Sequence, residues 1–162
     1  MKLYFAYGSN LCLKRFKDPS RVPSASFKCV ATLEGYRVFF WKRSVDGSGK
    51  ATIVRDPDSN VVVALFSYED KDHEKLKKAE AGYAECPITI SSSEGKKEVL
   101  TFICDTQELD RTIQPYDWYL DLIRYGGREL GLPAEYLSRF DSVVAKVDPN
   151  AARAARERTF LK

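Results

Sequence analysis

Four places in the chain carry residue types able to do chemistry. Near the start, Gly8, Ser9 and Asn10 interrupt the run "KLYFAYGSNL" straight after a strand-like pattern. Glycine lets backbone approach a ligand closely or take a positive φ, while serine and asparagine stabilise tight turns. Successive N–H groups in such a turn can form a concavity for an anion. The same letters also fit a plain strand-to-helix turn, with Ser9 or Asn10 capping a helix begun by "LCLKRF". The second place is Glu80. At about 100° per residue it shares a helical face with Leu76 and Tyr83, while Lys75, Lys77 and Lys78 point elsewhere. A carboxylate on an apolar stripe loses solvation, and its pKa rises towards the range useful for proton transfer. The alternative leaves Glu80 at a helix end, rotated outward onto Lys77.

The single histidine, His73, lies seven residues from Glu80, about 10 Å along one helix, so the two cannot hydrogen-bond there. Glu, Asp and Lys surround it, and it reads as exposed. A Ser–His–Asp or Cys–His enzyme would rest on this one residue, which disfavours both classes. The last place is "QPYDWYLDLIRY", where Trp118 and Tyr119 either line a pocket, with the phenol as a polar handle, or pack in the core.

Elements must hold these side chains. Residues 2–7 alternate, with Leu3, Phe5 and Tyr7 on one face and Tyr4 and Ala6 on the other, so a strand is predicted. "FKCVATLEGYRVFFWKRS" reads as strand, turn at Glu34-Gly35, strand; "ATIVRD" and "VVVALFSY" are two strands divided by a "PDSN" turn. "CPITISS" and "KEVLTFICD" flank a turn at Glu94-Gly95. Helical periodicity is confined to "EDKDHEKLKKAEAGYA", to "YDWYLDLIRYGGREL", and to a further helix opened by Pro133 with Leu137, Phe140 and Val144 on one face. Six or seven short strands with few helices predict an α+β domain built on a curved sheet or small barrel. Residues 1–147 form that domain; 148–162 are a basic extension, helical or frayed, whose charge is a solvated face.

Composition narrows the classes. The chain has 162 residues, 44% hydrophobic and 30% charged, an ordinary globular balance. A net charge of +3, from 26 basic and 23 acidic residues, is too mild to imply nucleic acid, and only "RAARER" speaks for it. The longest apolar runs, "VVVALF" and "VFFW", are too short to span a bilayer, and the start does not read as a signal peptide. Cys12, Cys29, Cys86 and Cys104 lie far apart with no CxxC pair and one histidine in the chain, so no metal site is expected. Reduced thiols of a cytoplasmic protein are the reading favoured.

Taken in order, "YFAYGSNL", "GKATIVRDP", "VVVALFSY", "LKKAEAGY" and "PYDWY…GGRELGLPAEYLSRF" resemble the γ-glutamylcyclotransferase family, over residues 2 to about 145. The resemblance implies a small closed mixed β-barrel of about six strands packed with helices, with no metal or cofactor. It implies cleavage of a γ-glutamyl compound into 5-oxoproline and a free amine or amino acid. By motif position, the substrate loop falls on Tyr4, Phe5, Ala6, Tyr7, Gly8, Ser9 and Asn10, the acid/base on Glu80, and a substrate-binding tyrosine on Tyr119. A γ-glutamyl small molecule is then the partner, with neither nucleic acid nor membrane, for a monomer or homodimer. The acceptor (amino acid, ε-lysine or other amine, or glutathione) stays open, because specificity should lie in loops 44–50 and 105–116, which carry no readable code. The alternative is a non-catalytic or regulatory module that binds an anionic metabolite through the same loop; a carboxylate at Glu80 argues against it.

Overall fold

Alternation of apolar residues gives the first strand two faces, and both are used, because the sheet closes on itself. The computed structural model describes residues 1–93 and 95–162. Strands β1 (Lys2–Ala6), β2 (Ser26–Arg43), β3 (Gly49–Tyr68), β4 (Ala84–Ser92) and β5 (Gly95–Ile103) form a closed barrel in the order β1-β3-β2-β4-β5. Every ladder is antiparallel except the last, where β1 meets β5 in parallel through Tyr4 and Leu100. Phe5, Val63, Leu65 and Ile90 are among the side chains buried in the core. Each such side chain contributes about 1.5–3 kcal/mol through its removal from water.

The barrel has five strands where about six were expected. The turns predicted at Glu34-Gly35 and at "PDSN" do not end their strands. Pairing passes from Glu34 opposite Asn60 to Tyr36 opposite Arg55, with Gly35 at φ 77°. Extra residues on one strand make an irregularity that bends and twists a ladder without terminating it. β2 and β3 therefore run on as one long, bent hairpin, each replacing two of the short strands. Of the Glu94-Gly95 turn, Glu94 lies outside the described residues, and Gly95 opens β5 with φ 98°.

The helices are short and lie on the barrel: α1 (Leu13–Phe16), α2 (His73–Ala79), α3 (Asp117–Glu129), α4 (Ala134–Ser138) and α5 (Ala151–Arg158). Pro133 precedes α4, whose helix stops at Ser138. Leu137 and Phe140 are buried, while Val144, past the helix end, is exposed. The basic segment after 147 is helical and held down. Trp118 Nε1 donates to Asp148 Oδ2 at 2.9 Å, and Arg153 forms an ion pair with the same carboxylate at 2.6 Å.

α3 reaches the turn that follows β1 because Gly126 has no side chain there. A Cβ on Gly126 would stand 2.3 Å from the backbone of Leu11 and Cys12. The backbone cannot yield as a side-chain tip would, so Gly126→Ala must push the helix off the turn. Overpacking of this kind costs about 1–3 kcal/mol. The variant is expected to melt several degrees below the wild type in thermal denaturation, and an unchanged melting temperature would show that the contact is slack.

Candidate active site

β1 ends at Ala6, and the chain turns through Tyr7 and Gly8 into a 3₁₀ turn at Ser9–Leu11. Gly8 does not use a positive φ; it sits at φ −113°, ψ −145°. Space is what glycine supplies, since a Cβ would lie 3.2 Å from both the Ala51 Cβ and the Tyr119 hydroxyl. No side chain caps this turn. Asn10 is instead buried and turned inward. Its Nδ2 donates to Glu80 Oε1 at 2.6 Å and to the Tyr4 hydroxyl at 2.9 Å, and its Oδ1 accepts from Arg21 Nη1 at 3.3 Å. Both donor hydrogens and the acceptor of the amide are engaged, so the side chain has one orientation.

Glu80 arrives by a different route from the one its helical pattern suggests. α2 stops at Ala79, and Glu80 is its C-cap residue at φ −100°, with its N–H bonded to Leu76 O at 2.9 Å. Gly82 then takes φ 82°, the left-handed conformation that reverses the chain. Leu76 is fully buried under the helix, while Tyr83 comes back from the turn to donate to Ala51 O at 2.7 Å. Glu80 keeps some surface where the pocket opens, but its carboxylate lies among Tyr4, Tyr7, Tyr83 and Tyr119.

Burial raises the Glu80 pKa above its ordinary 4.5, and the Arg21 charge, the Asn10 hydrogen bond, Arg15 and Lys42 pull part of that rise back. The four phenols are pushed above 10 by burial first and by the Glu80 charge among the lesser causes. They stay protonated. The Tyr7 hydroxyl donates to Phe102 O, and the Tyr119 hydroxyl accepts from Ala51 N–H at 3.2 Å. The result is one carboxylate in a shell of neutral dipoles, a setting in which charge interactions are strong.

The space beside Glu80 is small, about 30 Å³, and adjoins a vestibule of about 220 Å³ that shares Ser9, Glu80, Tyr83 and Tyr119. Five cations line the vestibule: Arg15, Arg21, Lys42, Lys50 and Arg153. Three have carboxylate partners: Arg15 pairs with Glu157, Lys50 with Asp46, and Arg153 with Asp148, at 2.6–2.8 Å. Arg21 and Lys42 have none within ion-pair distance among the described residues; Lys42 donates to the Ala81 carbonyl at 3.0 Å. A larger cavity, about 700 Å³, lies between the Arg37–Trp41 stretch and Tyr136–Val144 and contains none of the expected site residues.

Of the expected site residues, the structure gathers Tyr4, Tyr7, Gly8, Ser9, Asn10, Glu80 and Tyr119 around one pocket. Phe5 and Ala6 do not line it; they pair with Leu65 and Ala64 in the ladder, with side chains in the core. His73 is not exposed as expected: Tyr68 bonds its Nδ1 at 2.8 Å, and Nε2 lies 3.3 Å from Glu85, away from the pocket. Arg21 and Lys42 were missed. Arg21 sits in "DPSRVPS", a loop with no periodicity, and only the fold brings it to Asn10. Among the described residues, no group of three or more His, Cys, Asp or Glu could hold a metal, and no helix is long and apolar enough to cross a membrane.

The site is a small pocket at a closed barrel, with one carboxylate enclosed in it and the chain's single histidine elsewhere. No family model matches the chain. The bovine (Bos taurus) γ-glutamylcyclotransferase is 31% identical over 152 residues, covering 87% of this chain and 78% of that protein. The human (Homo sapiens) one is 29% identical over 151 residues at the same coverage. A solved γ-glutamyl cyclotransferase superposes with a TM-score of 0.82 at 26% identity, over 96% of this chain and 98% of that one. An uncharacterised human protein does so at 0.81. The chain belongs to the γ-glutamylcyclotransferase family and is an enzyme of that type.

The raised pKa of Glu80 has a consequence for stability. Its protonated form contributes stability below pH 4.5, and that contribution is lost as pH rises through the raised folded value. A neutral amide avoids the loss. Glu80→Gln should therefore melt above the wild type at pH 7, with the difference shrinking in acid; equal melting temperatures across the range would show that the carboxylate is not desolvated.

Proposed function

We propose that the enzyme acts as an intramolecular cyclotransferase in which Glu80 is the general acid/base. The observation that carries this reading is the Glu80 carboxylate, anchored by Asn10 at 2.6 Å in a pocket too small for anything but the reacting end of a substrate. In a γ-glutamyl compound the free α-amine can fold back on the γ-carbonyl. The nucleophile then belongs to the substrate, and a protein with no triad loses nothing. Holding the chain folded is worth a large effective molarity, which reaches about 10⁵ M and above in well-oriented systems.

Proton traffic follows from the same group. The α-ammonium, with a pKa of about 8, first loses one proton to water; the neutral amine then attacks and passes a second proton to Glu80. A C–N bond forms and the γ-carbonyl becomes a tetrahedral oxyanion. In this reading the oxyanion is received by N–H groups of the Gly8–Asn10 turn, since backbone donors at the start of a helical turn lack intrahelical acceptors. Glu80 then returns the proton to the departing nitrogen, the old C–N bond breaks, and 5-oxoproline and a free amine leave. A pKa above the ordinary carboxylate value narrows the gap to both nitrogens. Arg21, which has no carboxylate partner among the described residues and donates to Asn10 Oδ1, is the group assigned in this reading to the substrate α-carboxylate.

The purified enzyme, without added metal, is to be incubated with γ-glutamyl-alanine, γ-glutamyl-ε-lysine and glutathione, and 5-oxoproline measured by mass spectrometry. Product from at least one is expected, with kcat reduced about 10²- to 10⁴-fold in Glu80→Gln. Arg21→Met should raise KM about ten- to a hundredfold, the worth of a hydrogen bond to a charged group, and change kcat less. Full turnover by folded Glu80→Gln would remove Glu80 from the mechanism. Equal ligand binding by both proteins with no product would favour a binding module.

A further inference from the structure

The sequence motifs that mark the pocket end with "LSRF" at Phe140, yet Arg153 and Glu157 of α5 line the vestibule. Arg15 explains the connection. It is 8% exposed, an unusual place for a guanidinium, and it has two partners there. Its Nε donates to Glu157 Oε2 at 2.7 Å, and its Nη1 donates to Ser9 Oγ at 3.2 Å. The line Glu157–Arg15–Ser9 thus runs from α5 to the substrate turn.

We propose that Glu157 is a positioning residue: through Arg15 it fixes Ser9 and the Gly8–Asn10 turn, so that the C-terminal helix completes the active site. This rests on the reading of the pocket as catalytic. Stability alone is a poor reason for the pair, because desolvation offsets most of what a buried ion pair gains. The helix already has other fastenings. Arg153 pairs with Asp148, Asn150 Oδ1 accepts from Arg153 N–H at 2.9 Å, Arg158 pairs with Asp117 of α3 at 3.0 Å, and Cys12 Sγ donates to Phe160 O. What only the Arg15–Glu157 pair does is hold the donor against Ser9.

The test uses the full chain and compares Glu157→Gln, Ser9→Ala, their double variant, Glu157→Arg, and the exchanged pair Arg15→Glu/Glu157→Arg. Glu157→Gln should lose about tenfold or more in kcat, with melting temperature and KM changed little. Ser9→Ala should lose a similar factor, and the double variant little more, since both act on one hydrogen bond. The exchanged pair restores an ion pair between the helices but removes the donor to Ser9; it should recover the melting temperature lost in Glu157→Arg without recovering kcat. Recovery of both, or additive losses in the double variant, would overturn the proposal and leave the pair as a fastening; where the exchanged pair does not fold, the cycle decides alone. Amide exchange at residues 8–11 gives a readout independent of turnover: faster exchange in Glu157→Gln at unchanged melting temperature supports the proposal, and unchanged exchange overturns it. An enzyme inactive on every γ-glutamyl compound would sink the functional reading, while the exchange measurement would still decide this one.

Discussion

A hydrogen bond 2.6 Å long joins Asn10 to Glu80 across seventy positions of sequence, and most of the site depends on it. A carboxylate taken out of water must be matched by donors or it neutralises. Here the match is a neutral amide whose other groups are taken by Tyr4 and Arg21. The arrangement lowers the cost of the charge without cancelling it. Replacing Asn10 with a cation would tie the carboxylate down as an ion pair and drive its pKa below the useful range; removing every donor would leave it permanently protonated. The fold therefore has to bring the turn after β1 and the end of α2 together within a fraction of an ångström. A closed barrel, in which β1 is fixed by β3 on one side and β5 on the other, is rigid enough to do so.

The charges farther out continue the same logic. The vestibule holds more cations than carboxylates, and Arg21 and Lys42, which have no carboxylate partner among the described residues, line it together with Glu80. That suits a substrate that arrives with its own carboxylate, and it keeps Glu80 from rising so far that it cannot ionise. Stability and activity pull against each other at this point. Burial of Glu80 costs the folded state free energy that a glutamine would not, so the pocket persists only because the barrel around it is well packed.

Much of this was legible in the sequence. The "YFAYGSNL" stretch marks the turn, the glutamate on an apolar stripe marks Glu80, and Tyr119 stands out in an aromatic helix. The misses have physical causes. Gly35 and "PDSN" read as turns because their residues favour turn geometry, but ladder hydrogen bonds on both sides carried β2 and β3 through them. Asn10 was placed in the substrate loop by the motif, but its bond to Glu80 has no local signal, because only tertiary contact makes it. Phe5 and Ala6 lie inside the motif, and their side chains are buried in the core. Glu80 was placed on a helix that in fact ends one residue earlier, and a turn rather than a helical face delivers Tyr83. Arg21 had no local signal at all.

The central claim is that an enclosed carboxylate, partly compensated by Asn10, is the group whose ionisation governs turnover. The most direct test is a carbon-detected NMR titration of the Glu80 carboxyl, set beside the pH dependence of kcat on a γ-glutamyl substrate. The account predicts that Glu80 titrates above 4.5 and that the acid limb of the rate profile shares its midpoint. A Glu80 that titrates at the ordinary value, or a rate profile indifferent to its midpoint, would contradict it.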